Sequence, residues 1–211
     1  CRHHLSLSVV CRLQREICNS DRYLTIASEN IPDGKTLFKC CPPIRENKNR
    51  EHLWQAISDG RLDFIVSDHS PCTPELKHID TGDIEKAWGG ISALQFGLPL
   101  IWTEAKGRGF TLVDLARLMS AETAKFAGLD GIKGAIKVGN HADFCIFDEN
   151  IEYTITNDMI KHRHNITPYA GRKVTGRVNH TYVRGFHVYQ QDEYINSPIG
   201  RPLLKGQLYT F

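Results

Sequence analysis

No stretch of this 211-residue chain approaches the ~20 consecutive apolar residues of a membrane-spanning helix. Net charge is scarce as well. Twenty-six Lys and Arg against 24 Asp and Glu leave +2, too little for a broad nucleic-acid or membrane footprint. The seven cysteines (Cys1, Cys11, Cys18, Cys40, Cys41, Cys72 and Cys145) form no CxxC pair, and their number is odd. That excludes a zinc knuckle and argues against a disulfide framework, so reduced thiols in a cytosol-like compartment are expected. Internal repeats and low-complexity tracts are missing too. The opening CRHHLSLSVVCRLQREIC has neither an initiator Met nor a charged-apolar-small leader layout. A portion of a longer protein is expected.

What is present suits a globular chain of one or two domains: 41% of residues are hydrophobic and 24% charged. To about Ile132, helical and strand-like pieces alternate. The spacing predicts a helix over 49–60, with Leu53, Trp54 and Ile57 on one face and a stop at Gly60. The unbroken apolar run DFIV (63–66) predicts a strand covered on both faces, as in parallel sheets. Residues 70–90, rich in Pro and Gly, read as a loop over the strand ends, and 91–107 as mostly helix. A further helix is predicted over 110–129, with Thr111 as N-cap, Asp114 three residues on, and Gly128 as its stop. The pattern then changes. Residues 134–150 predict strand, Gly-Asn turn, strand; 173–190 predict two more strands around Arg184 and Gly185; the tail from 197 is irregular.

Few residues stand out chemically. Asp68 follows the 63–66 run at the place where barrel enzymes keep their catalytic groups. A carboxylate there can bind zinc or carry a proton, but Asp, His and Ser before Pro also commonly begin a turn. In KCCPPIRE (39–46) two prolines fix an extended loop and leave the backbone beside Cys41 able to meet a ligand; an ordinary rigid loop reads the same way. Gly89 and Gly90 allow close backbone approach, or simply a turn. His162 and His164 have the spacing of a metal pair, but without a third ligand a solvated surface is expected. His3 and His4 are ambiguous.

Taken together, FKCCPPIRENKNREHLW, DFIVSDHSPCTPELK, KAWGGISALQFGLPLIWTEAKGRGF, KGAIKVGNHADFCIFD and HRHNITPYAGRKVTGRV resemble the allantoinases. These are cyclic amidohydrolases of the metal-dependent amidohydrolase superfamily. The likeness runs from about 23 to 185. SDHSPC and AWGGISALQFGLP are the specific stretches; KGAIKVGNHADF is widespread in the superfamily.

The resemblance implies a (β/α)₈ barrel and a small β-sandwich made from both chain ends. Two zinc ions bridged by a hydroxide and a carboxylated lysine are implied for the complete site. Asp68 is implied as the metal-binding aspartate and proton carrier on the last barrel strand. Cys41 and Gly90 are implied as backbone contacts to the ring, and His69 as a neighbour of metal or substrate. His4, in HHLSLS, is a candidate further ligand. The family's His-x-His pair, bridging lysine and one histidine strand have no counterpart here. Asp21 and Arg22 stand where the family usually has His-His, so residues 1–22 look scrambled or deleted.

The expected architecture is therefore α/β. Residues 1–132 would form the C-terminal part of the TIM barrel and 133–211 part of the β-sandwich. The expected function is that of an allantoinase fragment, inactive alone, whose complete enzyme hydrolyses allantoin to allantoate. A small-molecule substrate, a homo-oligomer and a cytoplasmic location go with it, with peroxisome or mitochondrion left open. No nucleic-acid or membrane partner is expected. The alternatives are a dihydroorotase- or hydantoinase-type enzyme, or a non-catalytic truncated relative that acts as a binding partner.

Overall fold

The computed structural model describes residues 21–195 and 197–203. A short helix α1 (Asp21–Thr25) is followed by α2 (Asn47–Ser58) and α3 (Gly97–Lys106). Helix α2 begins two residues ahead of the predicted span. It buries Trp54 and Ile57, and the Trp54 indole N–H donates to the Leu24 carbonyl at 3.0 Å, which fixes α2 against α1.

The predicted helix over 110–129 is a composite. α4 (Leu112–Ala116) runs into a π segment (Arg117–Ala121) and then α5 (Glu122–Phe126). Thr111 and Asp114 form the expected reciprocal cap, and Gly128 ends the run at φ 70°. The π segment was not predicted. A π turn frees a backbone carbonyl from the helical ladder, and the Leu118 carbonyl accepts the Ile65 N–H at 3.0 Å.

Two strand expectations need correction. Residues 63–66 are extended, but they form no continuous ladder among the described residues. Val66 and His69 are bridge positions, and His69 pairs parallel with Ile91. A strand buried on both faces takes its ladder from neighbours on both sides, and the described neighbours reach this segment through single hydrogen bonds with Asp21, Leu118 and Ile91. Residues 134–138 are not a strand at all. Gly134 and Gly139 hold φ of 84° and 92°, and Ile136 and Val138 are exposed. Left-handed glycines at both ends break the extended run, and among the described residues no ladder covers its apolar side chains.

Beyond that point lies a four-stranded antiparallel meander in the order β1 (Phe144–Thr154), β2 (Lys173–Val183), β3 (Phe186–Gln190), β4 (Glu193–Tyr194). Arg184 and Gly185, at φ 50° and 82°, make the two-residue turn between β2 and β3. Two left-handed residues in succession match the twist of a hairpin. Gly176 is needed for closeness. A Cβ there would lie 2.2 Å from the Phe147 ring and 2.7 Å from Trp102 of α3. The sheet is thus seated on α3, and the Thr103 hydroxyl accepts the Thr175 N–H at 2.9 Å.

Two apolar clusters hold the structure. One joins Tyr23, Ile91, Phe96 and Leu100 to Ile155 and Val174; the other gathers Leu24, Trp54, Ile65, Ile101 and Leu118. No described helix is long and apolar enough to cross a membrane.

Candidate active site

The extended 63–69 segment is held by hydrogen bonds outside itself. Ile65 N–H reaches Leu118, Asp21 N–H reaches the Val66 carbonyl at 3.0 Å, and Ser70 N–H reaches the Ile91 carbonyl at 2.9 Å. This pins Asp68 at the end of the segment, with its carboxylate half exposed at 51%. Arg22, only 2% exposed, forms an ion pair with one Asp68 oxygen. The same guanidinium lies 3.4 Å from the Asp68 carbonyl, 3.2 Å from the Tyr23 hydroxyl and 3.5 Å from the Cys41 carbonyl. Tyr23 in turn donates to the Pro42 carbonyl at 2.6 Å, and the Cys41–Pro42 peptide is cis.

Asp68 and the Cys41 backbone are therefore brought together, with Arg22 as the link. Gly90 joins them by a different route. A Cβ on Gly90 would fall 2.1 Å from the Trp88 ring and 2.7 Å from Ser70 Cβ, so glycine alone fits. Its N–H donates to the Lys39 carbonyl at 2.9 Å, and its carbonyl accepts from Lys77. The polar groups of Gly90 are thus already used within the chain, with one carbonyl lone pair to spare.

Lys77 is the residue that sequence reasoning missed. Buried to 2% exposure, its ammonium donates to the Lys39 carbonyl at 3.1 Å and the Trp88 carbonyl at 3.0 Å, as well as to Gly90. Burial pushes its pKa below the ordinary lysine value. It ties the 39–41 loop to the 88–90 loop. Within PELKHID (74–80) it reads as a solvated charge, and only the fold reveals the carbonyls around it.

His69 turns elsewhere. Its Nδ1 accepts the N–H groups of Ala93 and Leu94, both at 3.1 Å, which leaves Nε2 to carry the proton. Burial lowers its pKa. Its ring meets His162 edge-on at 5.1 Å, beside a cavity of about 470 Å³ lined also by Tyr189 and Tyr194. His162 is half-buried with neither ring nitrogen hydrogen-bonded, rather than solvated as predicted. Packing of the 160–169 loop against the 92–95 segment, including Gln95 to the Met159 carbonyl at 2.7 Å, draws it in. A larger cavity, about 670 Å³, lies between the 116–129 helical run and residues 133–146, away from Asp68. His4 lies outside the described residues.

Among the described residues, no group of three or more His, Cys, Asp or Glu side chains is placed to hold a metal ion. Asp68 is the exposed acidic group at the focus of the site loops, and a buried guanidinium already occupies it. These residues do not fit the two-zinc centre that the resemblance implies.

Asp21 is the second acid here, 2% exposed and with one carboxylate oxygen unpartnered. Burial pushes its pKa up to about 6; the Arg22 N–H and guanidinium pull the other way but do not cancel the effect. An acid with a folded-state pKa above its ordinary 3.8 holds its proton more tightly when folded, so stability falls as pH rises from about 4 to 6. A shift of roughly two units corresponds to about 3 kcal/mol. Asp21→Asn should therefore match the parent near pH 4 and exceed it by up to about 3 kcal/mol above pH 6. Urea unfolding at pH 4 and pH 7 checks this; an equal difference at both would refute it.

The amidohydrolase family profile matches residues 3–188. The chain is 46% identical over 192 residues to an allantoinase of Streptomyces avermitilis, covering 91% of this chain and 42% of that protein. It is 57% identical over 115 residues to the mitochondrial allantoinase of Aquarana catesbeiana, covering 54% of this chain and 24% of that one. Among solved structures it is similar to the L-hydantoinase (dihydropyrimidinase) of Arthrobacter aurescens. The TM-score is 0.77 at 28% identity, over 90% of this chain and 43% of that chain. The chain thus spans about two-fifths of the length of the Streptomyces protein.

Proposed function

The chain belongs to the amidohydrolase family, and we propose that it is the C-terminal portion of an allantoinase, which opens the cyclic amide of allantoin to give allantoate. The observation that carries this reading is the 46% identity to the Streptomyces allantoinase over nearly all of the chain, against 28% to the hydantoinase. In this reading residues 1–132 are the last part of a TIM barrel with its loops, and 133–211 are a share of the β-sandwich. The complete enzyme is a cytoplasmic homo-oligomer. The described residues supply no cluster of ligands for the family's metal ions.

The reaction adds water across a ring C–N bond. Hydroxide becomes bonded to the carbonyl carbon, and the proton goes to the departing ring nitrogen. Asp68 suits the proton's path, because its exposed carboxylate stands at the meeting point of the 39–42 and 88–90 loops. The backbone at Cys41 and the spare lone pair of the Gly90 carbonyl would hold the ring's polar edge. The Asp68–Arg22 pair favours a second reading for the chain in isolation, namely that it does not turn over allantoin.

The test is a hybrid in which residues 23–211 follow the upstream part of the Streptomyces relative, assayed for allantoate release. Turnover of allantoin over hydantoin and dihydroorotate is expected. No turnover of any of the three, by a folded hybrid, would overturn the reading. In the same hybrid Cys41→Ser should keep activity within a few-fold, because Cys41 serves through its backbone; a loss beyond ~10²-fold would assign its thiol a role in the chemistry.

A further inference from the structure

We infer that Arg22 is the resident cation of Asp68, and that in this chain the guanidinium stands in the place of a metal ion at that carboxylate. The inference rests on Asp68 as the site carboxylate in the reading above, but not on allantoin as substrate.

Arg22 lies on α1, which packs against α2 and α3, and is itself 2% exposed. A guanidinium cannot shed its proton within a protein, so this charge is permanent. Buried charges persist when paired and hydrogen-bonded, and Arg22 has both forms of support. Its two terminal nitrogens face the Asp68 carboxylate, the Asp68 and Cys41 carbonyls and the Tyr23 hydroxyl. These acceptors come from three separate segments, so the guanidinium is a keystone and not a surface charge that happens to reach an acid.

A divalent cation at Asp68 would have to share its carboxylate with that fixed positive charge or evict it. Sharing sets like charges a few ångströms apart. Eviction leaves a buried guanidinium without its anion, since the neighbouring Asp21 faces Arg22 chiefly through the backbone N–H at 2.7 Å. No set of further metal ligands would repay either cost, because the described residues supply no cluster of three donor side chains. His69, the next ionisable residue in sequence, is engaged with the 93–94 backbone.

Two measurements on the full chain test this. In equilibrium dialysis against Zn²⁺, the parent and Asp68→Asn should retain zinc with the same affinity, any binding arising at other residues. Zinc held tenfold or more tightly by the parent than by Asp68→Asn would overturn the inference. The second measurement needs no variant. The terminal N–H₂ resonances of Arg22 should be visible and exchange-protected, and identical in EDTA and in excess Zn²⁺; zinc-dependent release of those protons would also overturn it. The hybrid enzyme begins at Tyr23 and lacks Arg22. Its failure would therefore sink the allantoinase reading and leave this one standing, and zinc bound through Asp68 in the parent would do the reverse.

Discussion

Lys77→Met should cost about 3 kcal/mol of stability in urea unfolding, the scale of leaving two buried carbonyls without a donor. Methionine fills a similar length but donates nothing. The carbonyls of Trp88 and Gly90 would lose their donor inside the protein, while the Lys39 carbonyl keeps the Gly90 N–H. Each buried, unsatisfied acceptor costs roughly 1–3 kcal/mol, and part of that sum is offset because a buried ammonium no longer has to be desolvated. Lys77→Arg should not rescue it, because a planar fork does not fit a ring of carbonyls arranged for a compact ammonium. The 39–41 and 88–90 loops should part in the variant, visible as faster amide exchange at Gly90. A loss below about 1 kcal/mol would show that water or a rearranged loop replaces the ammonium.

Asp68→Ala in the hybrid enzyme should lower turnover of allantoin by ~10²–10⁴, the scale of a positioned acid-base group. The carboxylate is half exposed at the end of a segment braced by Leu118 and Ile91, so removal should leave the fold largely intact. Circular dichroism and the unfolding midpoint separate loss of chemistry from loss of structure. Activity within a few-fold of the parent hybrid would end the assignment of Asp68 to the reaction.

Local rules were readable where the residues that obey them sit close together. The Thr111–Asp114 cap and the Arg184–Gly185 turn need only a few consecutive residues, and both were found as predicted. The apolar face of α2 followed from its period. Errors arose where distant contacts decide. AIKV at 135–138 has strand-like composition, yet among the described residues no partner strand covers it, and the flanking glycines turn left-handed. The π segment depends on Ile65 taking a carbonyl some fifty residues away. Arg22 and Lys77 both read as surface charges in their local sequence. They are buried because acceptors 46 and 38 residues away in the chain close around them. His162 was expected in solvent for a similar reason: nothing in HRH indicates that His69 lies against it.

The meander and the α1 region also differ in how far the chain must travel to form them. β2, β3 and β4 meet across two-residue turns, at 184–185 and 191–192, so their pairing closes short loops. The Arg172 guanidinium instead reaches the Thr25 carbonyl at 2.6 Å across 147 residues, and Glu104 Oε1 at 2.7 Å. Closing a long loop costs entropy before any contact repays it. In kinetic terms the hairpins are early structure, and the Arg172 strut that fastens the sheet region to α1 is late. Weakening the turns would slow folding, whereas cutting the strut would chiefly speed unfolding. Arg172→Ala should therefore raise the unfolding rate more than it lowers the folding rate, because the contact it removes spans the seam where residue 172 meets residue 25.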